Sequence, residues 1–168
     1  RYLAGEPTVA LEAMEGADRL EPRLQPPGPA THGLYGRPTV LHTPRTFAQV
    51  RAALAALEAL DTGADDPGTR LVSVTGDVEA PAVVELPTDG TLAASRETVS
   101  VDGQFKMACV GGALGGLTRD LSVPPSAPAL RSASLGTDGV VELFADYRCP
   151  LAVAGERVQF AAEENSGR

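Results

Sequence analysis

Apolar residues recur three and four positions apart in two stretches near the start of the chain, then alternate or cluster in short runs further along. In "GEPTVALEAMEG" the residues Val9, Ala10, Ala13 and Met14 predict the apolar stripe of a short helix. Pro7 suits its first helical position and Gly16 its stop. Further on, Phe47, Val50, Leu54 and Leu57 predict a second helix with one face in the core. Thr43 suits its N-cap, with Pro44 just inside. A strand is expected at Pro38–Leu41, ahead of that helix. The proline-rich "EPRLQPPGPATHG" is too stiff and broken for regular structure.

Beyond a polar linker, Asp61 to Gly68, the pattern changes period. "TRLVSVTGDV" and "PAVVELP" read as two β-branched strands joined by a turn, in which Leu71, Val72, Val74, Val83, Val84 and Leu86 alternate or cluster. "TLAASRETV" predicts a short helix, "KMACVGGALGG" a strand ending in a glycine loop, and "DGVVELFAD" another strand. In the last stretch Val153, Val158, Phe160 and Ala161 have roughly helical spacing. There is no internal repeat.

Composition narrows the function. Hydrophobic residues make up 43% and charged residues 21% of 168 residues, ordinary for a soluble globular protein with one core or two small lobes. No apolar run approaches the roughly 20 residues of a membrane helix, and no secretory signal core is visible. The formal net charge of -8, with dispersed arginines and Lys106 as the single lysine, argues against nucleic acid. Cys109 and Cys149 lie far apart and form no CxxC pair, so no metal site is expected from them, and a reducing cytoplasm is the simplest setting. Arg1 as the first residue suggests a fragment of a longer protein.

Four stretches in order carry a family resemblance: "RYLAGEPTVALEAMEG", "PRLQPPGPATHGLYGRPTV", "GTRLVSVTGDVEAPAVVELP" and "FAAEENSGR". They resemble the NADH-binding flavoprotein subunit of respiratory complex I (NADH-quinone oxidoreductase), and related subunits of NAD-linked hydrogenases and formate dehydrogenases. "PRLxPPxPAxxGLYGRPT" is the most specific of them, and Ser95 to Gly139 matches weakly. The resemblance implies an α+β chain in three parts. Residues 1–65 would close a flavin-binding α/β domain, and 66–146 would form a ubiquitin-like β-grasp module of the SLBB type. Residues 147–168 would be the first helix of an iron–sulfur bundle.

The resemblance also assigns roles. Tyr2, Gly5 and Glu6 match positions lining the flavin pocket, and Thr46 matches a threonine near the flavin phosphate. A glycine permits close backbone approach, and a helix N-terminus offers free N–H donors to a phosphate. However, Pro7 stands where the family has a second glutamate, and His42 and Thr43 stand where it has paired asparagines, whose amides suit flavin hydroxyls and phosphate. His42 reads either as a phosphate donor or as a half-exposed loop residue. Ser166 takes the place of the first cluster cysteine, and a serine does not replace the thiolate such clusters need. FMN and NAD are thus the family's cofactors, yet this segment is expected to bind neither, nor an iron–sulfur cluster.

Other motifs are weak. "GGALGG" lacks GxGxxG spacing and fits a turn in the β-grasp module. Asp65-Asp66 and Glu163-Glu164 read as solvated charges, His32 as structural, and no nucleophile arrangement is present. Two functions follow from the resemblance: part of an NADH-oxidising electron-input subunit with a degenerate or incomplete flavin site, or a non-catalytic module docking within a redox complex. Either implies other subunits as partners, no nucleic acid and no direct membrane insertion. The expected location is cytoplasmic, including peripherally at the cytoplasmic membrane.

Overall fold

The computed structural model describes residues 5–18, 20–22, 27–55 and 68–166. The chain divides into two compact units, Arg1–Leu60 and Asp61–Arg168.

In the first unit, α1 spans Pro7–Glu15. Glu6 is its N-cap, Pro7 opens it and Gly16 closes it with φ 77°, the left-handed conformation that glycine adopts without Cβ strain. The buried face differs from the expected stripe. Thr8, Val9 and Leu11 are buried, whereas Ala13 and Met14 are not. A 3₁₀ turn at Leu34–Gly36 follows the proline-rich stretch. Pro38–Leu41 forms no strand: the backbone there has no ladder partner among the described residues. α2 spans Pro44–Ala55. Its apolar side is not core, since Phe47, Val50 and Leu54 are 55%, 50% and 69% exposed. Periodicity marks one face as apolar but carries no information on what covers it. Leu57 lies outside the described residues.

The second unit is built on five strands: β1 Thr69–Gly76, β2 Ala82–Pro87, β3 Phe105–Val110, β4 Gly116–Thr118 and β5 Val140–Ala145. Their order is β2-β1-β5-β3-β4. β1 pairs antiparallel with β2 and parallel with β5, and β3 runs antiparallel to both β5 and β4. Side chains alternate across the sheet. Val72, Val74, Leu86, Ala108, Val110, Val141 and Leu143 point to one face. There they pack with Leu92 and Val99 flanking α3 (Ala93–Thr98) and with Leu130 of α4 (Ala127–Ser132). Met107, Cys109 and Phe144 point to the other face and meet Val153 of α5, Pro150–Ser166. Val158 of α5, which the spacing put on the same stripe as Val153, is exposed, and so are Leu71 and Val83 on the sheet. Burying one such valine or leucine side chain is worth about 1.5–3 kcal/mol, so the two-sided sheet dominates the stability of this unit.

Three pieces have no counterpart in the sequence expectations. They are the 3₁₀ turn, the three-residue β4 and the six-residue α4. Each is too short to show a period.

Candidate functional site

The motif "GLYGRPT" is a self-supporting loop. The Gly33 N–H donates to Arg37 O at 2.8 Å, and the Leu34 N–H donates to Thr39 Oγ1 at 2.9 Å. The Thr39 hydroxyl in turn donates to Arg37 O at 3.0 Å. A Cβ on Gly33 would lie 2.4 Å from that of Thr39, so no larger residue fits. Tyr35 sits at φ 51°, ψ 37°, uncommon for a bulky residue, with its ring exposed. Its N–H donates to Glu15 Oε1 at 2.7 Å, which ties the loop to the last turn of α1.

Of the four residues matched to the flavin pocket, Tyr2 lies outside the described residues. Gly5 is exposed, and a Cβ there would meet nothing within 4 Å. Glu6 caps α1: its Oε2 accepts from the Val9 N–H at 2.9 Å and from the Thr8 hydroxyl. Thr46 lies in the first turn of α2, where its N–H donates to Thr43 Oγ1 at 3.2 Å and the two hydroxyls are 3.1 Å apart. Glu6 and Thr46 thus belong to the starts of two different helices.

These starts are poor seats for a phosphate. A helix N-terminus attracts an anion through unsatisfied N–H groups and its dipole. At α1 the proline removes one donor, the Glu6 carboxylate occupies the Val9 donor, and that same carboxylate repels a second anion. At α2 Pro44 removes one donor and Thr43 occupies that of Thr46. His42 is exposed beside Phe47, ring centroids 6.1 Å apart in an edge contact.

The second unit holds two features absent from any sequence motif. Asp77 Oδ2 accepts from the buried Ala145 N–H at 3.1 Å and lies 3.3 Å from Arg148 Nε, an ion pair outside hydrogen-bond alignment. Lys106 Nζ donates to the Asp146 and Arg148 carbonyls at 2.9 and 2.8 Å, closing the turn after β5. Cys149 ends that turn at the start of α5, exposed. The N–H groups of Ala152 and Leu151, then Lys106, hold its thiol below the ordinary value, whereas burial pushes the Cys109 thiol up. The other feature is a cleft beside α3 lined by Arg96, Phe105, Arg119 and Leu121. Single residues on separate segments leave no spacing signal, so sequence could not bring them together. Among the described residues no group of three or more His, Cys, Asp or Glu could hold a metal ion.

No family model matches the chain. It is 32% identical over 181 residues to the F 2 subunit of NADH-quinone oxidoreductase in Rhizobium meliloti (strain 1021), covering 99% of this chain and 42% of that protein. The corresponding F subunit of Mycobacterium tuberculosis (strain ATCC 25618 / H37Rv) is 33% identical over 182 residues, covering 99% of this chain and 39% of that protein. Over nearly its whole length the chain is homologous to F subunits of NADH-quinone oxidoreductase. It spans less than half the length of the curated relatives it matches. Among solved structures, a chain of an NAD+-reducing [NiFe]-hydrogenase in the air-oxidized state is similar with TM-score 0.80 and 31% identity, over 99% of this chain and 30% of that one. The resemblance drawn from "PRLQPPGPATHGLYGRPTV" therefore holds, and the mixed α and β content with one five-stranded sheet agrees with it. No helix among the described residues is long and apolar enough to cross a membrane.

Proposed function

We propose that this chain is part of an NADH dehydrogenase-type electron-input subunit within a multi-subunit redox complex, and that its own share of the flavin site is degenerate. The homology to NADH-quinone oxidoreductase F subunits over 99% of the chain carries the first half of this reading. The capped helix starts carry the second: Glu6, Pro7 and Thr43 leave little for a flavin phosphate to bind. In this reading Tyr2, Gly5, Glu6 and Thr46 are remnants of a pocket wall, and Glu6 and Thr46 now serve helix geometry. Residues 66–146 are a β-grasp module of the SLBB type. In support, the β1–β2 hairpin lies parallel-paired to β5 with α3 packed on one face. The division at 65/66 and 146/147, with an iron–sulfur-bundle-like helix at the end, belongs to the same reading, as does a soluble, cytoplasm-facing position.

Titration of this chain with FMN, followed by quenching of flavin fluorescence, tests the degenerate site: we expect no saturable quenching up to millimolar protein. Saturation in the micromolar range would overturn that half. Flavin absorbance and NADH:ferricyanide reductase activity of the complete protein test the other half. Their absence would favour the second reading, a non-catalytic module that docks within the complex, which the exposed, strained Tyr35 and the uncovered face of α2 also favour.

A further inference from the structure

β3 loses its outer partner halfway along. β4 pairs only with Ala108, Cys109 and Val110. After Thr118 the backbone turns away, held by Asp120, whose Oδ1 accepts from the N–H and hydroxyl of Ser122 at 2.8 and 2.6 Å. It rejoins the fold at the start of α3, where the N–H groups of Ala93 and Leu92 donate to Leu121 O and Val123 O. A cleft opens between this turn, α3 and the first half of β3. Phe105, half-buried, lines it, and the Arg96 guanidinium lies 5.0 Å above its ring. Arg119 and Leu121 line it too. Among the described residues, Phe105–Met107 has β5 on one side and no strand on the other.

We propose that this cleft docks an extended acidic peptide segment of a partner protein, added alongside the bare half of β3. Two observations choose the occupant. An unpaired strand edge takes an extended main chain by β-addition, with backbone hydrogen bonds giving affinity and alternate side chains giving specificity. The cleft also carries two arginines, Arg96 and Arg119, against one glutamate, Glu97, in a chain whose net charge is -8. A guanidinium fork takes a carboxylate in two parallel hydrogen bonds, so charge complementarity selects a segment bearing Asp or Glu on alternate positions. This inference stands on the cleft alone and is independent of the flavoprotein reading.

The test is fluorescence anisotropy of a labelled peptide of sequence EVEVEV titrated with the full chain. Saturable binding is expected, weakened at least tenfold by Arg96→Glu combined with Arg119→Glu. The charge-matched Arg131→Glu on α4, an exposed position outside the cleft, should leave binding within twofold. A peptide N-methylated at alternate amides should bind at least tenfold more weakly, because the ladder is lost while the charge is kept. In the unmutated chain, amide shift changes on adding peptide should centre on Phe105–Met107, a readout that needs no variant to fold. No saturable binding would overturn the proposal, as would equal weakening by Arg131→Glu. Indifference to N-methylation, full competition by succinate at the same concentration of carboxylate, or shifts centred elsewhere would overturn it too.

Discussion

Gly111 and Gly112 offer a paired test of how the sheet is closed. Gly111 follows β3 at φ 99°, and a Cβ there would lie 2.1 Å from Gly136 Cα and 2.5 Å from the Gly136 carbonyl carbon. Gly112 has φ 78°, but its added Cβ would meet nothing nearer than Asp138 Oδ2 at 3.7 Å. Alanine at either position carries the positive-φ penalty of an L-residue, about 1–2 kcal/mol. Only at 111 does overpacking add about 1–3 kcal/mol. That clash is backbone on backbone, so no rotamer relieves it. Nor can the strands readily part, since the Gly111 N–H donates to Val140 O at 2.8 Å and the Gly136 N–H to Val110 O at 3.0 Å. We expect Gly111→Ala to cost roughly 2–5 kcal/mol and Gly112→Ala roughly 1–2 kcal/mol. Gly136→Ala, which lies outside the positive-φ region and would place its Cβ 2.7 Å from Gly111 Cα, isolates the clash at about 1–3 kcal/mol. Urea denaturation followed by far-ultraviolet circular dichroism measures all three. Equal losses at 111 and 112, or an unchanged midpoint for Gly136→Ala, would refute the close crossing as the reason for glycine here.

Three further expectations follow from particular contacts. Asp77→Ala leaves the buried Ala145 N–H unpaired and should cost about 1–3 kcal/mol in the same denaturation measurement, whereas Asp77→Asn, which keeps an acceptor, should cost less; the reverse order would remove Asp77 from that role. Val74→Ala, at a fully buried position, should cost about 1–3 kcal/mol, and Leu71→Ala, at a half-exposed one, clearly less; similar losses would contradict the assignment of the two faces. Folding lowers the Cys149 pKa, so this thiolate persists to lower pH than that of an unstructured cysteine, and the associated stability is lost as pH falls through the folded-state value. The pH midpoint of iodoacetamide alkylation, read by peptide mass spectrometry, should therefore lie below that of free cysteine for Cys149. Cys109 should react only on unfolding, and prompt alkylation of Cys109 in the native chain would contradict its burial.

Local chemistry was legible in the sequence wherever a few neighbouring residues set the outcome. Pro7 and Gly16 bounded α1, Thr43 and Pro44 opened α2, and the β-branched runs became β1, β2 and β5, because proline, glycine, caps and χ1 stiffness act within one turn or one strand. The long "PRLQPPGPATHGLYGRPTV" pattern likewise pointed to the NADH-quinone oxidoreductase family, since a loop so tightly bonded to itself tolerates few substitutes at Gly33 or Thr39. Coverage was another matter. The apolar sides of α1 and α2 could be drawn from spacing, yet burial fell on Leu11 rather than Met14 and left Phe47 and Leu54 in the open, because a period names a face and not its neighbour. Glu6 likewise matched a pocket-lining position, but only the folded backbone brings its carboxylate onto the Val9 N–H and so turns it into a cap. Strand order was decided only in three dimensions. The parallel pairing of β1 with β5 joins residues more than sixty positions apart, and β4 exists because Ala108–Val110 holds it. The same long-range pairing sets Arg96, Phe105 and Arg119 around one cleft, which no local pattern could encode.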